Sequence, residues 1–282
     1  MELSTGADAG LFVISILAGI LGALAGVGGG LIIVPALTII FGVEIHLAIG
    51  ASIVSVIATS SGAAVAYVRD GLSNLRIGMV LELATTVGAV VGALVASSVP
   101  AGPLETVLGA VLVGTAAAQL LRLDDSGTPG SREPNRWADR LRLSGSYIGV
   151  GGVRRDYVAQ RLPLGMALMG VAGIVSGLLG IGSGALKVLA LDTAMRLPMK
   201  VSTATSNFMI GVTAAASAGI YLGRGDVDVR IAAPVALGIL AGALLGARLL
   251  PRLRDRAVRL AFIPVLGLIG LQMLARGLGF GL

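Results

Sequence analysis

The chain is 282 residues long, 55% hydrophobic and only 13% charged, with a mean hydropathy of +0.94, a balance that excludes an ordinary soluble domain and indicates a polytopic membrane protein. It has no cysteine and one histidine, His46, so neither a thiolate nor a histidine-cluster metal site can be built, and a Ser-His-Asp triad has a single possible centre. The net charge of +6 sits in loops flanking apolar spans, where the positive-inside bias puts basic residues, which removes the argument for nucleic acid as a partner.

Residues 1–10 carry Glu2 and Asp8 instead of the basic start of a signal peptide, so no cleaved leader is expected. The first apolar block, 10–41, contains Ala25-Gly26-Val27-Gly28-Gly29-Gly30-Leu31-Ile32-Ile33-Val34-Pro35. Glycine and proline both weaken a helix interior. In a bilayer, backbone freed from its helix is tolerated only where it is buried in protein or lines a cavity. A continuous helix over this block would run about 48 Å through a core of ~30 Å. Folding it at the glycines into two arms of about fourteen residues lets the chain reach mid-membrane and return.

Further apolar blocks follow at 47–68, 77–98 and 101–121. The polar, arginine-rich stretch 123–161 reads as a cytoplasmic linker between a first transmembrane repeat, 1–122, and a second, 162–282. Trp137, Leu141 and Leu143 could give it a short interfacial helix, with a disordered tether as the alternative. The second repeat has blocks at 162–191, 199–222, 231–250 and 257–275. Its first block repeats the glycine break as Gly180-Ile181-Gly182-Ser183-Gly184-Ala185-Leu186-Lys187.

The halves align without a gap at an offset of 154 residues, which carries Gly26, Gly28 and Gly30 onto Gly180, Gly182 and Gly184, Ser52 onto Ser206, Tyr67 onto Tyr221, and Gly88 and Gly92 onto Gly242 and Gly246. If both broken blocks are re-entrant hairpins, each repeat crosses the membrane three times and the second is inverted relative to the first. With the linker inside, this leaves only Arg224, Arg230 and Arg276 of the loop basic residues outside, and both termini outside. Eight full spans, the alternative, would export Arg196, Lys200 and the cluster Arg252, Arg254, Arg256, Arg259. The expected fold is thus an all-α integral membrane protein of two inverted repeats, each a glycine-broken hairpin plus three transmembrane helices.

Such broken inverted repeats are the pattern of secondary transporters that hold an anion near the midplane. The candidate substrate site is Gly26, Gly28, Gly29 and Gly30 with Gly180, Gly182, Ser183 and Gly184. Close helix crossing is the competing use of these glycines. Ser52, Ser55 and Thr59 share one helix face, and Thr205, Ser206, Asn207 and Thr213 occupy the equivalent helix, where hydroxyls also bond to their own backbone. Lys187 is read as a counter-charge or a coupling group, with snorkelling to the interface as the competing reading. Glu82 reads as a residue reaching the cytoplasmic interface near Arg76, and His46 as a surface neighbour of Glu44. No catalytic, metal or cofactor residue is assigned.

Gly22-x3-Gly26-x-Gly28-Gly29-Gly30-x4-Pro35, its echo Ser176-Gly177-Leu178-Leu179-Gly180-Ile181-Gly182, and Ala204-Thr205-Ser206-Asn207-Phe208-Met209 resemble the TauE/SafE sulfite exporter family, also called the TSUP permeases. The resemblance implies a permease for sulfite, an organosulfonate or a related sulfur anion in the cytoplasmic membrane. Ser183, Leu189 and Lys187 depart from the pattern and bear on substrate and on two-fold equivalence of the site. The partners expected are a small anionic solute, the lipid bilayer and, as a hypothesis, a coupling proton. An intramembrane phosphatase or lipid-processing enzyme, or a membrane sensor that conducts nothing, are the other readings. The membrane blocks hold too few acid, base and arginine groups for the enzyme.

Overall fold

A computed structural model describes residues 5–121, 140–148, 153–253 and 255–280. The protein is all-helical in its membrane part. Helix α1 (Thr5–Ala25) ends at the first glycine run, and α2 (Gly30–Pro35) resumes beyond it and continues as a π-turn, Ala36–Ile40. Three long helices complete the first half: α3 (Ile45–Arg69), α4 (Leu75–Ala96) and α5 (Ala101–Leu120). A two-stranded antiparallel hairpin follows, β1 (Gly145–Ile148) and β2 (Arg154–Tyr157). The second half repeats the first: α6 (Leu162–Leu179), α7 (Gly184–Leu189) with its π-turn Ala190–Ala194, α8 (Met199–Arg224), α9 (Val229–Leu249) and α10 (Asp255–Gly277).

Five of these helices, α3, α4, α5, α6 and α9, are long and apolar enough to cross a membrane. Helix α8 is longer, but Ser202, Thr203, Thr205, Ser206 and Asn207 lower the hydropathy of its first half. The distribution of polarity is the reverse of a soluble protein's. Leu83 and Val87 face outward at 70% and 67% exposure, while Ser52, Ser55, Thr59, Ser206 and Asn207 are all at 0%. Lipid can solvate the first set and cannot satisfy the second.

The broken segments differ from the equal arms read from the sequence. The first has arms of 21 residues and, with its π-turn, 11. The long arm is not cut to half-membrane length because the break falls late in the block, at Gly26. The sequence correspondence between the halves recurs in the packing, but crosswise. A Cβ on Gly92 of α4 would come within 2.9 Å of Ile174 C in α6, and one on Gly246 of α9 within 2.7 Å of Ile20 O in α1. Gly92 matches Gly246 and Ile20 matches Ile174 in the repeat register, so each half lends its third helix to the other half's broken segment.

Helices α3 and α8 lie across the middle in opposite directions. The backbone just past α3 meets the start of α8, through Ser73 Oγ donating to Ala204 O (3.1 Å) and Asn74 N–H donating to Thr205 Oγ1 (3.0 Å). The start of α3 meets the backbone just past α8, where a Cβ on Gly50 would come within 2.7 Å of Asp226 C. At the Ser73 end sits the hairpin. Asn74 Nδ2 donates to Tyr157 Oη at 3.1 Å, and Gln160 N–H donates to Met195 O at 3.1 Å, so the two ends of the segment containing α6 and α7 lie side by side. Leu143 and Tyr157 are buried with Ile77, Leu81, Met195 and Val201 in one apolar cluster. The sequence of the linker leaves open a short interfacial helix or a disordered tether. Its second part is instead a packed strand pair, while Trp137 lies outside the described residues.

Candidate functional site between the two glycine breaks

Each break is a left-handed turn of the backbone. Gly26, Gly28 and Gly29 have φ of 72°, 74° and 44°, and their counterparts Gly180, Gly182 and Ser183 have 63°, 72° and 47°. Only glycine adopts this region without cost, so Ser183 stores strain of about 1 kcal/mol or more where its twin, Gly29, stores none.

The turns stack back to back. A Cβ on Gly184 would come within 2.5 Å of Val27 Cα, and one on Gly30 within 3.2 Å of Ile181 Cα. Two serines stitch the turns across the halves. Ser52 of the first half donates to Gly180 O of the second at 3.0 Å, and Ser206 of the second donates to Gly26 O of the first at 2.8 Å. Ser206 is also 3.3 Å from Gly184 O. Two matched tyrosines brace each turn within its own half, Tyr67 donating to Ala23 O at 3.0 Å and Tyr221 to Gly177 O at 2.6 Å. Between Gly28 and Gly182 the space is filled by the Val56 and Ile210 side chains, another matched pair.

The structure brings together most of the residues singled out by the sequence, with distinct duties. Ser52, Ser206 and the glycines form the crossing itself. Asn207 Nδ2 donates to Ala23 O at 3.0 Å and Thr203 O at 3.2 Å. Ser55 and Thr59 bond to carbonyls of their own helix, Ser52 O at 2.7 Å and Ser55 O at 2.9 Å. Thr205 is turned to the α3–α4 loop, where it accepts from Asn74, so it does not join the crossing. Four buried polar atoms in this region, Ser183 Oγ, Ser202 Oγ, Thr203 Oγ1 and Asn207 Oδ1, have no hydrogen-bond partner among the described residues. Such groups are costly to bury and are normally satisfied by water or ligand. Ser202 and Thr203 were not marked by sequence pattern, although Thr203 lies directly against Gly26.

Glu82 is the larger departure. Lys187 is 0% exposed and does not reach an interface; Glu82, at 6%, is buried as well. Lys187 Nζ is 3.6 Å from Glu82 Oε2. The Thr213 hydroxyl lies between them, accepting from Lys187 and donating to Glu82 Oε1. Thr85 and Thr86 add hydroxyls at 3.3 and 3.4 Å from the carboxylate. Glu82 therefore does not extend toward Arg76, because a full counter-charge is nearer than the interface. His46 lies in the first turn of α3, with Nδ1 2.5 Å from Glu44 Oε1, and Glu44 caps that helix.

A family model described as "Sulfite exporter TauE/SafE" matches residues 11–273. The chain belongs to that family. Among its relatives are the probable membrane transporter protein YunE of Bacillus subtilis, 26% identical over 95% of this chain and 97% of the relative, and YdhB of the same species, 27% identical over 84% and 86%. The probable membrane transporter protein MJ0441 of Methanocaldococcus jannaschii is 24% identical over 94% of both chains. No solved structure matches the chain. The matched range takes in both glycine breaks, Glu82, Lys187 and Thr213. The chain is thus a membrane transporter of the TauE/SafE family.

Proposed function

We propose that this protein is a permease for a small sulfur-containing oxyanion, sulfite or an organosulfonate, working by alternating access between two inverted repeats. The observation that carries the reading is the crossing of the glycine breaks, held by the reciprocal Ser52 and Ser206 bonds and bordered by buried polar atoms with no protein partner. Hydroxyl groups there suit an oxyanion, because a hydroxyl can donate its proton to it. Alternating access needs two bodies that rock about a shared centre. The opposite directions of α3 and α8 support inversion, and the Gln160–Met195 bond supports a second broken segment that returns to the end it left. Val56 and Ile210 close the centre in this state, so substrate passage requires them to part.

Purified protein in liposomes should take up labelled sulfite or sulfonate with saturable kinetics. Ser183→Ala should raise the half-saturation concentration roughly tenfold or more, since a hydrogen bond to a charged group contributes about 1.5–3 kcal/mol. Liposomes that take up none of these anions faster than protein-free ones would reject the reading.

A further inference from the structure

Lys187, Thr213 and Glu82 come from three elements, α7, α8 and α4, and meet only in the fold. Their counterparts in the repeat register are Ile33, Thr59 and Ala236. The twin location thus keeps the hydroxyl and replaces both charges by apolar side chains, with Ile33 fully buried. The fold therefore has a packed solution for this location that needs no ion pair. Burying one costs desolvation that its attraction rarely exceeds, and apolar replacement of both members is commonly neutral or better. Stability does not account for the pair.

Position suggests what does. Lys187 N–H bonds to Ser183 O at 2.9 Å, which puts Lys187 one helical turn beyond the glycine break and beyond the strained, unpartnered Ser183 hydroxyl. An ammonium has three N–H donors, and Thr213 and Glu82 engage no more than two of them. The packed elements carry few other ionisable groups. Helix α4 has Arg76 at its start, α6 has no ionisable residue, α5 has Glu105 just past its first turn, α8 has Lys200 and Arg224 at its two ends, and Asp192 lies in the π-turn after α7. Arg224 is paired with Asp226 at 3.1 Å.

We propose that Lys187 is the anchor for the transported oxyanion and Glu82 its internal stand-in, so that anion entry displaces Glu82 from Lys187 and Glu82 takes up a proton. The inference rests on the permease reading above. In the empty state Lys187 ammonium and Glu82 carboxylate neutralise one another. In the loaded state the anion neutralises Lys187, and a proton drawn from the aqueous phase on the entry side forms an O–H bond on Glu82, with Thr213 passing its hydrogen bond from one partner to the other. Charge balances only if one proton accompanies each monovalent anion. Release on the far side frees Lys187, Glu82 loses its proton there and the pair re-forms.

The test uses the full chain in liposomes with an internal pH-sensitive dye and a labelled sulfonate, which stays ionised and carries no proton of its own. In the wild type, acid outside should drive sulfonate accumulation, with acidification of the lumen. Glu82→Gln should lose the gradient-driven accumulation and the acidification, while exchange of labelled for unlabelled sulfonate continues with a lower half-saturation, because an amide does not compete for Lys187. Thr213→Val should weaken the coupling, and the double change Lys187→Ile with Glu82→Ala, which copies the twin location, should fold and carry nothing. Gradient-driven accumulation retained by Glu82→Gln, exchange abolished or weakened in it, or coupling untouched in Thr213→Val would each overturn the proposal while leaving the permease reading intact. Wild-type liposomes without sulfonate or sulfite flux would remove both.

Discussion

Glu82 shows what a linear sequence hides at the scale of one residue. Its place near the start of an apolar block makes interfacial snorkelling the natural reading, since a charge finds water at lowest cost through its own helix. What changes this is Lys187, from a segment far along the chain, and no periodicity in either segment reports the meeting. The glycines were legible for the opposite reason: their requirement is local, a backbone with positive φ, and it is met at both breaks. The buried pair makes a sharp stability prediction. Glu82→Ala alone leaves an uncompensated buried ammonium and should cost about 3–5 kcal/mol, whereas adding Lys187→Ile should recover most of that loss. Thermal unfolding of the three proteins in one detergent checks it. If the double variant is as unstable as the single, the pair is structural and its twin is a poor guide.

At the scale of the element, the positions of the unbroken helices follow from apolar runs to within two residues at each end, because a span must be long and apolar to lie in lipid at all. The β1–β2 hairpin did not follow. Ser146-Tyr147-Ile148 and Arg154-Arg155-Asp156-Tyr157 have no alternating pattern, and the strands are held by Tyr157 and Leu143 entering a cluster built by other elements. The crosswise helix contacts were not legible: the repeat register matches Gly88 and Gly92 to Gly242 and Gly246 but names no helix for them to pack against. Gly92→Leu and Gly246→Leu should each destabilise by about 1–3 kcal/mol or more, since the obstruction is partner backbone that cannot turn aside. Gly114→Ala in α5, with nothing within 4 Å of the new methyl, should be neutral or slightly stabilising. Equal effects at the three positions, measured by thermal unfolding, would mean that these crossings are looser than described.

For the whole molecule, the decisive question is which ends of the helices share a side of the membrane. The α3–α4 loop, the hairpin and the loop at Met195 are joined by hydrogen bonds, through Asn74, Tyr157, Gln160 and Met195. Leu72, Tyr147, Leu250 and Leu253 also share one apolar cluster, which brings the loop after α9 to the same end. Arg69, Arg154, Arg155, Arg196 and Arg252 belong to these segments, so basic charge gathers at one end, the arrangement expected of a cytoplasmic face. Eight full spans would place the Met195 and Arg252 loops opposite the linker. Because the chain has no native cysteine, single cysteines report the difference directly. A cysteine at Val229, 71% exposed beyond α8, should react with an impermeant maleimide added to intact cells. Cysteines at Arg252 and at Ser126 in the linker should react only after the membrane is opened. Labelling of Arg252→Cys in intact cells, with Val229→Cys protected, would reject inversion and with it the reading in which the two glycine breaks enter from opposite faces.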